Sequence, residues 1–134
     1  MRIYCDGASR GNPGPSAIAY IILSNSGKVL RKRFKCVGFM TNNQAEYRAV
    51  IHALKAACKF TDQQIACFTD SELVVNQLNG EYKVNNPKLK TSWQKVQGLK
   101  KSFRKVTFEH RPREDAFIKE VDSMANQALD SDDY

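Results

Sequence analysis

A chain of 134 residues, 42% hydrophobic and 26% charged, has the size of a single domain and enough apolar material for a core, which excludes a disordered chain. Its 21 basic residues outweigh 14 acidic ones, giving a formal charge of +7. That points to a polyanionic partner, nucleic acid foremost, although a basic protein with no such partner has the same composition. No apolar run approaches the ~20 residues that span a bilayer, and no leader precedes the first strand. An intracellular, cytoplasmic protein without membrane contact is expected.

In chain order, residues 2–6 alternate as a strand, and residues 7–15, with three Gly and two Pro, read as a loop. Strands over 16–23 and 28–37 are joined at Asn25-Ser26-Gly27, a hairpin signal. Thr41-Asn42-Asn43 offers helix caps, and Ala45, Ala49, Val50, Ala53, Leu54 and Ala57 follow at helical spacing. A short strand over 65–69 leads into a helix over 71–78 that stops at Asn79-Gly80. Leu89, Trp93, Val96 and Leu99 mark a further helix. Residues 105–110 form the last strand and 118–129 the last helix. Residues 1–129 read as one domain, followed by an acidic tail over 130–134 that is expected to be disordered. The order of elements predicts an α/β domain with a mixed sheet. The four cysteines, Cys5, Cys36, Cys58 and Cys67, form no CxxC pair and no zinc-like cluster, so they read as reduced packing residues. Spacing leaves open whether Cys58 and Cys67 ever pair.

Four carboxylates stand where apolar residues are expected. Asp6 and Asp70 end predicted strands, and if those strands are parallel neighbours both acids emerge at one sheet edge, where open α/β sheets bind ligands. Glu46 lies on the stripe of Val50, Ala53 and Ala57, and Asp122 on that of Ile118, Ala125 and Leu129. Singly, each has an ordinary explanation: a turn or cap for the aspartates, the positive helix N-terminus for Glu46. Together they would repel one another unless protonated or bound to metal. An all-oxygen set suits Mg²⁺ or Mn²⁺ rather than zinc. Two such ions sharing a carboxylate are an arrangement that cuts phosphodiesters.

The segments that carry these acids have recognisable surroundings. Tyr4-Cys5-Asp6-Gly7-Ala8-Ser9-Arg10-Gly11-Asn12-Pro13-Gly14-Pro15, Thr41-Asn42-Asn43-Gln44-Ala45-Glu46-Tyr47, Thr69-Asp70-Ser71 and the pair His110-Arg111-Pro112-Arg113-Glu114 and Val121-Asp122-Ser123-Met124-Ala125-Asn126 resemble, in order, the motifs of type 1 ribonuclease H. The resemblance implies the ribonuclease H-like fold: a five-stranded mixed sheet, strands 1–3 antiparallel, flanked by helices. It implies an endonuclease that hydrolyses the RNA strand of RNA–DNA hybrids with two Mg²⁺ ions (Mn²⁺ substituting), leaves 5′-phosphate and 3′-hydroxyl ends, and removes primers and R-loops. Asp6, Glu46, Asp70 and Asp122 match the catalytic, metal-binding acids, and His110 a histidine that assists proton transfer or product release. Without the resemblance, His110 reads equally well as a solvated loop residue. Asn12, Asn42 and Asn43 match positions that read the RNA strand; amides both donate and accept, as a 2′-hydroxyl requires. Helix capping is the alternative for Asn42. Thr41 matches a residue that holds a DNA phosphate, and Ser71 is a further substrate-binding candidate. A monomer with no protein partner is expected.

Two departures stand out. Asp122 follows His110 by twelve positions, longer than the family pattern. If 115–120 is loop, the site is intact; if it extends the helix, Asp122 could turn away, leaving Glu114 and Asp115 as competing ligands. Only residues 80–90 separate two helices, so a basic helical protrusion is absent. Lys88, Lys90, Lys95, Lys100, Lys101 and Lys105 stand in for it or form an ordinary solvated face. A resolvase-like nuclease, a domain derived from a reverse transcriptase and a hybrid-binding module that does not cut are the competing readings.

Overall fold

The computed structural model describes residues 1–131. Its strands are β1 (Arg2–Ser9), β2 (Gly14–Leu23), β3 (Val29–Met40), β4 (Gln64–Thr69) and β5 (Lys105–His110); its helices are α1 (Asn42–Ala57), α2 (Glu72–Leu78), α3 (Pro87–Lys100) and α4 (Ala116–Ser131). The sheet order is β3-β2-β1-β4-β5. β1 pairs antiparallel with β2, and β2 antiparallel with β3; β4 runs parallel to both β1 and β5. This is the predicted five-stranded mixed sheet.

Strand alternation sorts side chains to two faces. Ile3, Cys5, Ile18, Tyr20, Ile22, Ile65 and Cys67 face α1, packing with Tyr47, Val50 and Leu54. Tyr4, Ala19, Ile21, Leu23 and Phe68 face the opposite way, against Ile118, Val121 and Ala125 of α4. Covered on both faces, β2 is apolar almost throughout and every residue from Ser16 to Leu23 is buried. The helices are defined by local chemistry. Thr41 and Gln44 form a capping box at α1. Asn86 caps α3, with Pro87 at its first position. The Asp115 carboxylate accepts from Phe117 and Ile118 N–H (2.9 and 3.2 Å) at the head of α4.

Several boundaries differ from expectation. The glycine-rich segment is mostly strand: β1 continues through Gly7–Ser9, paired with Ser16–Ile18, and the connection shrinks to residues 10–13. Gly and Ser are poor strand formers, but the ladder to β2 overrides that preference. β3 runs on to Met40, with a bulge opposite Ser16/Ala17. α4 begins two residues earlier than predicted and runs two further, so Asp130 and Ser131, expected in a tail, are helical, and Asp130 pairs with Arg10. The rest of the predicted tail, 132–134, lies outside the described residues. Cys5, Cys58 and Cys67 are free thiols, and buried Cys5 and Cys67 sit 4.0 Å apart, sulfur to sulfur. Among the described residues no helix is long and apolar enough to cross a membrane.

Candidate active site

Parallel pairing of β1 with β4 places Tyr4 opposite Phe68. Two residues further along that register, Asp6 meets Asp70, the residue that follows β4. Glu46 arrives from the first turns of α1, which press onto β1 at Gly7. A Cβ at Gly7 would stand 2.2 Å from the carbonyl carbon and oxygen of Ala45 and 2.5 Å from the Glu46 nitrogen. Only glycine admits that approach. As a result one carboxylate oxygen each from Asp6, Glu46 and Asp70 lies within 4.8 Å of the others.

Asp122 comes from the opposite face. It is exposed on α4, beside the buried stripe of Ile118, Val121 and Ala125 rather than within it, and its carboxyl hydrogen-bonds that of Asp6. Of residues 115–120, favoured as loop because the Asp122 stripe agrees with the apolar pattern, all but Asp115 belong to α4, yet the register of the helix still sets Asp122 against Asp6. Asp115 is occupied as the α4 cap and Glu114 is exposed. Neither is among the groups that act on Asp6.

The electrostatics are those of crowded acids. Burial, then the charges of Asp70, Asp122 and Glu46, push the Asp6 carboxyl up to about 9. Burial raises Glu46 to about 7, against the pull of a Ser71 hydrogen bond that favours its ionised form. Without a cation this group cannot hold its full negative charge. A divalent ion bound by hard oxygen ligands would remove the conflict, and the donor set fits one.

The profile of the family described as reverse transcriptase-like matches residues 4–128. The chain is 41% identical over 130 residues to ribonuclease HI of Halobacterium salinarum, covering 97% of this chain and 64% of that protein. It is 38% identical to the bifunctional protein Rv2228c of Mycobacterium tuberculosis, over 96% of this chain and 35% of that one. It therefore spans less than two thirds of both relatives. The crystal structure of RNase H1 from the same halophilic archaeon superposes with a TM-score of 0.93 at 40% identity, covering 98% of each chain. LC11-RNase H1, solved in complex with an RNA/DNA hybrid, gives 0.89 at 37% identity over 96% of each. The chain belongs to the type 1 ribonuclease H family.

Around the acids of this ribonuclease H domain, the other predicted site residues fall into three groups. Asn12, Thr41, Asn42 and Asn43 gather at the N-terminus of α1. The Asn12 side-chain oxygen accepts from the Asn42 N–H at 3.0 Å, tying the 10–13 turn to the helix. Thr41 accepts from the Gln44 N–H at 3.2 Å. Asn12 and Asn42 are exposed, with side-chain amides available to a ligand. Ser71 is buried; its hydroxyl accepts from the Val74 N–H at 3.2 Å at the head of α2 and bonds Glu46. Its side chain positions a catalytic candidate instead of standing open to substrate. Ser71→Ala is expected to cost about 1 kcal/mol as a lost cap and to lower hybrid cleavage, whereas Ser71→Thr retains both. Urea denaturation beside a cleavage assay measures the two effects.

His110 ends β5, exposed, with its Nε2 3.9 Å from Glu72. The Arg111 N–H donates to the Thr69 carbonyl at 2.9 Å, holding this loop to the end of β4. The Arg113 Nε lies 3.9 Å from an Asp70 oxygen and is 83% exposed, free to swing toward solvent. Gly7 and Arg113 were not singled out from sequence. Both lie inside the family motifs. The close approach that requires glycine is invisible before α1 is docked, and Arg113 was one of many basic residues until the fold set it beside Asp70.

Proposed function

We propose that this domain hydrolyses the RNA strand of RNA–DNA hybrids. The observation that carries the reading is the convergence of Asp6, Glu46 and Asp70, with Asp122 at Asp6, a short way from the exposed amides of Asn12 and Asn42. Asp6, Glu46, Asp70 and Asp122 are the residues to hold two Mg²⁺ ions, or Mn²⁺ in their place. When bound, such ions supply an activated water and stabilise the leaving 3′ oxygen, giving 5′-phosphate and 3′-hydroxyl ends. The protein supplies position and selectivity. Ser71 keeps Glu46 oriented and favours its ionised form. Asn12, Asn42 and Asn43 pair with base edges and 2′-hydroxyls of the RNA in the minor groove, which distinguishes RNA from DNA. Thr41, at the positive N-terminal end of α1, takes a phosphate of the DNA strand. His110, at the rim, accepts or returns a proton through Nε2, the nitrogen turned to Glu72. The role that follows is removal of hybrid RNA from primers and R-loops in the cytoplasm, by a protein acting as a monomer. The similarity to a hybrid-bound ribonuclease H1 supports the substrate assignment.

The test is cleavage of an end-labelled hybrid with Mg²⁺, beside single-stranded RNA, duplex RNA and duplex DNA. Metal-dependent cutting confined to the hybrid is expected. Cutting of duplex DNA would favour a resolvase-like nuclease, and tight hybrid binding without cutting would favour a binding module.

A further inference from the structure

The edge strand β3 and the outer face of α1 enclose a second, strongly basic feature. A cavity of about 270 Å³ lies between them, floored by Ile18 and Tyr20 and walled by Arg33, Lys35, Phe34 and His52. The register explains the wall: Arg33 pairs with Tyr20 and Lys35 with Ile18, so both basic side chains stand on the α1 side of the sheet. From the helix, Arg48, His52 and Lys55 recur at spacings of four and three, one stripe along α1. The charges converge: His52 is driven down to about 4 by burial and by Lys35, Arg48 and Lys55 acting together. No carboxylate among the described residues is within ion-pair distance of Arg33, Lys35, Arg48 or Lys55. Four cations with no carboxylate partner around one groove make a positive potential that attracts an anion. Arg33, Lys35 and Lys55 are exposed, and none is needed for the core.

An aromatic ring flanks the cations: Phe60, just past the end of α1, is 39% exposed with the Arg31 guanidinium 5.3 Å from its ring centroid. A basic trough with an exposed ring is what a single strand uses, its phosphates tracking the cations and a base stacking on the aromatic. The groove lies along the same helix that carries the proposed substrate face: α1 runs from Asn42 and Asn43 past Arg48 and His52 to Lys55, about 20 Å along its axis.

We propose that the groove between β3 and α1 binds a single-stranded nucleic-acid segment that continues from the hybrid held at the carboxylate site. This rests on the hybrid reading above. The domain would thus favour junctions, where a hybrid adjoins an unpaired strand, over blunt hybrids.

The experiment compares a blunt hybrid with hybrids bearing a ten-nucleotide single-stranded extension at either end. Equilibrium binding is measured without divalent metal, and kcat with it, for the wild type and for the triple variant Arg33→Ser, Lys35→Ser, Lys55→Ser. The wild type is expected to bind one of the extended hybrids about 3- to 10-fold more tightly than the blunt one. The triple variant should lose that preference, and its log–log salt slope on the extended hybrid should fall by about 2, at ~0.7 per phosphate contact. Its kcat on the blunt hybrid should not change. A wild type indifferent to the extension, or a preference that survives the triple variant, overturns the proposal. So does an equal loss on blunt and extended hybrids, which would assign the groove to the duplex. Failure of the wild type to cut any hybrid sinks the substrate reading instead, and is seen separately.

Discussion

Asp6→Asn is expected to abolish hybrid cleavage, by a thousandfold or more on the usual scale for a metal-holding catalytic group, while making the metal-free protein more stable. The two effects share one cause. Asp6 is 5% exposed and crowded by Asp70, Asp122 and Glu46, and its carboxyl is raised to about 9. In the unfolded chain the same group titrates near its ordinary value of 3.8. Between those limits the folded protein retains a proton that the unfolded chain releases. Stability therefore falls as pH rises through that window. Glu46, raised to about 7, adds a smaller term of the same sign. His52 contributes the opposite sign: held near 4, it costs stability as pH falls below its ordinary value. Replacing Asp6 by the neutral amide removes the largest of these terms and leaves a donor for Asp122. The expected result is a metal-free melting temperature raised by roughly 5 °C at pH 8 and by less at pH 5. Mg²⁺ should stabilise the wild type more at pH 8 than at pH 5, and the Asp6→Asn protein little at either. Thermal melts at both pH values, with and without Mg²⁺, decide this; a variant less stable than the wild type at pH 8 would contradict the account.

Gly7→Ala should be more damaging to the fold than any conservative change at the surface of the site. The added Cβ would overlap backbone atoms of Ala45 and Glu46, at 2.2 and 2.5 Å. A backbone cannot yield as a flexible side chain does, so α1 must move off β1. Overpacking of this kind costs about 3 kcal/mol. Because Glu46 is one of the two residues struck, the same movement takes its carboxylate away from Asp6 and Asp70. Activity should fall at least 100-fold, on the scale of misplacing one catalytic group by about 1 Å, even where enough protein remains folded. Gly98→Ala is the matched control: nothing lies within 4 Å of its added carbon, and α3 should tolerate or welcome it. Urea denaturation of the two variants, with activity per folded molecule, separates the steric effect from a general cost of removing glycine.

Much of this molecule was legible in one dimension. Alternation along residues 2–6 and the apolar run in β2 named strands, because a strand covered on one or two faces must repeat its buried residues accordingly. The capping sequence at Thr41 marked the head of α1 because its orphan N–H groups need nearby acceptors. The acids Asp6, Glu46 and Asp70 stood out because charge on an apolar element is unfavourable without a reason, and motif order joined them to a family. Boundaries were less legible. Gly7–Ser9 reads as loop until pairing with Ser16–Ile18 supplies its ladder, and Asp130 reads as tail until Arg10 lies beside it.

The chain by itself determined where the strands and helices lie and which carboxylates stand out on them, since hydrophobic period and misplaced charge are local properties, although it set Asp122 on the buried stripe and left Ser71 open, and the fold reverses both. Only the tertiary structure decided how they meet. The parallel register of β1 and β4 set Asp6 against Asp70, the missing side chain at Gly7 let α1 deliver Glu46, and the turn of α4 brought Asp122, rather than Asp115 or Glu114, to Asp6. Each of these depends on contacts between segments distant in sequence, and such contacts arise from packing in three dimensions, which no local pattern encodes.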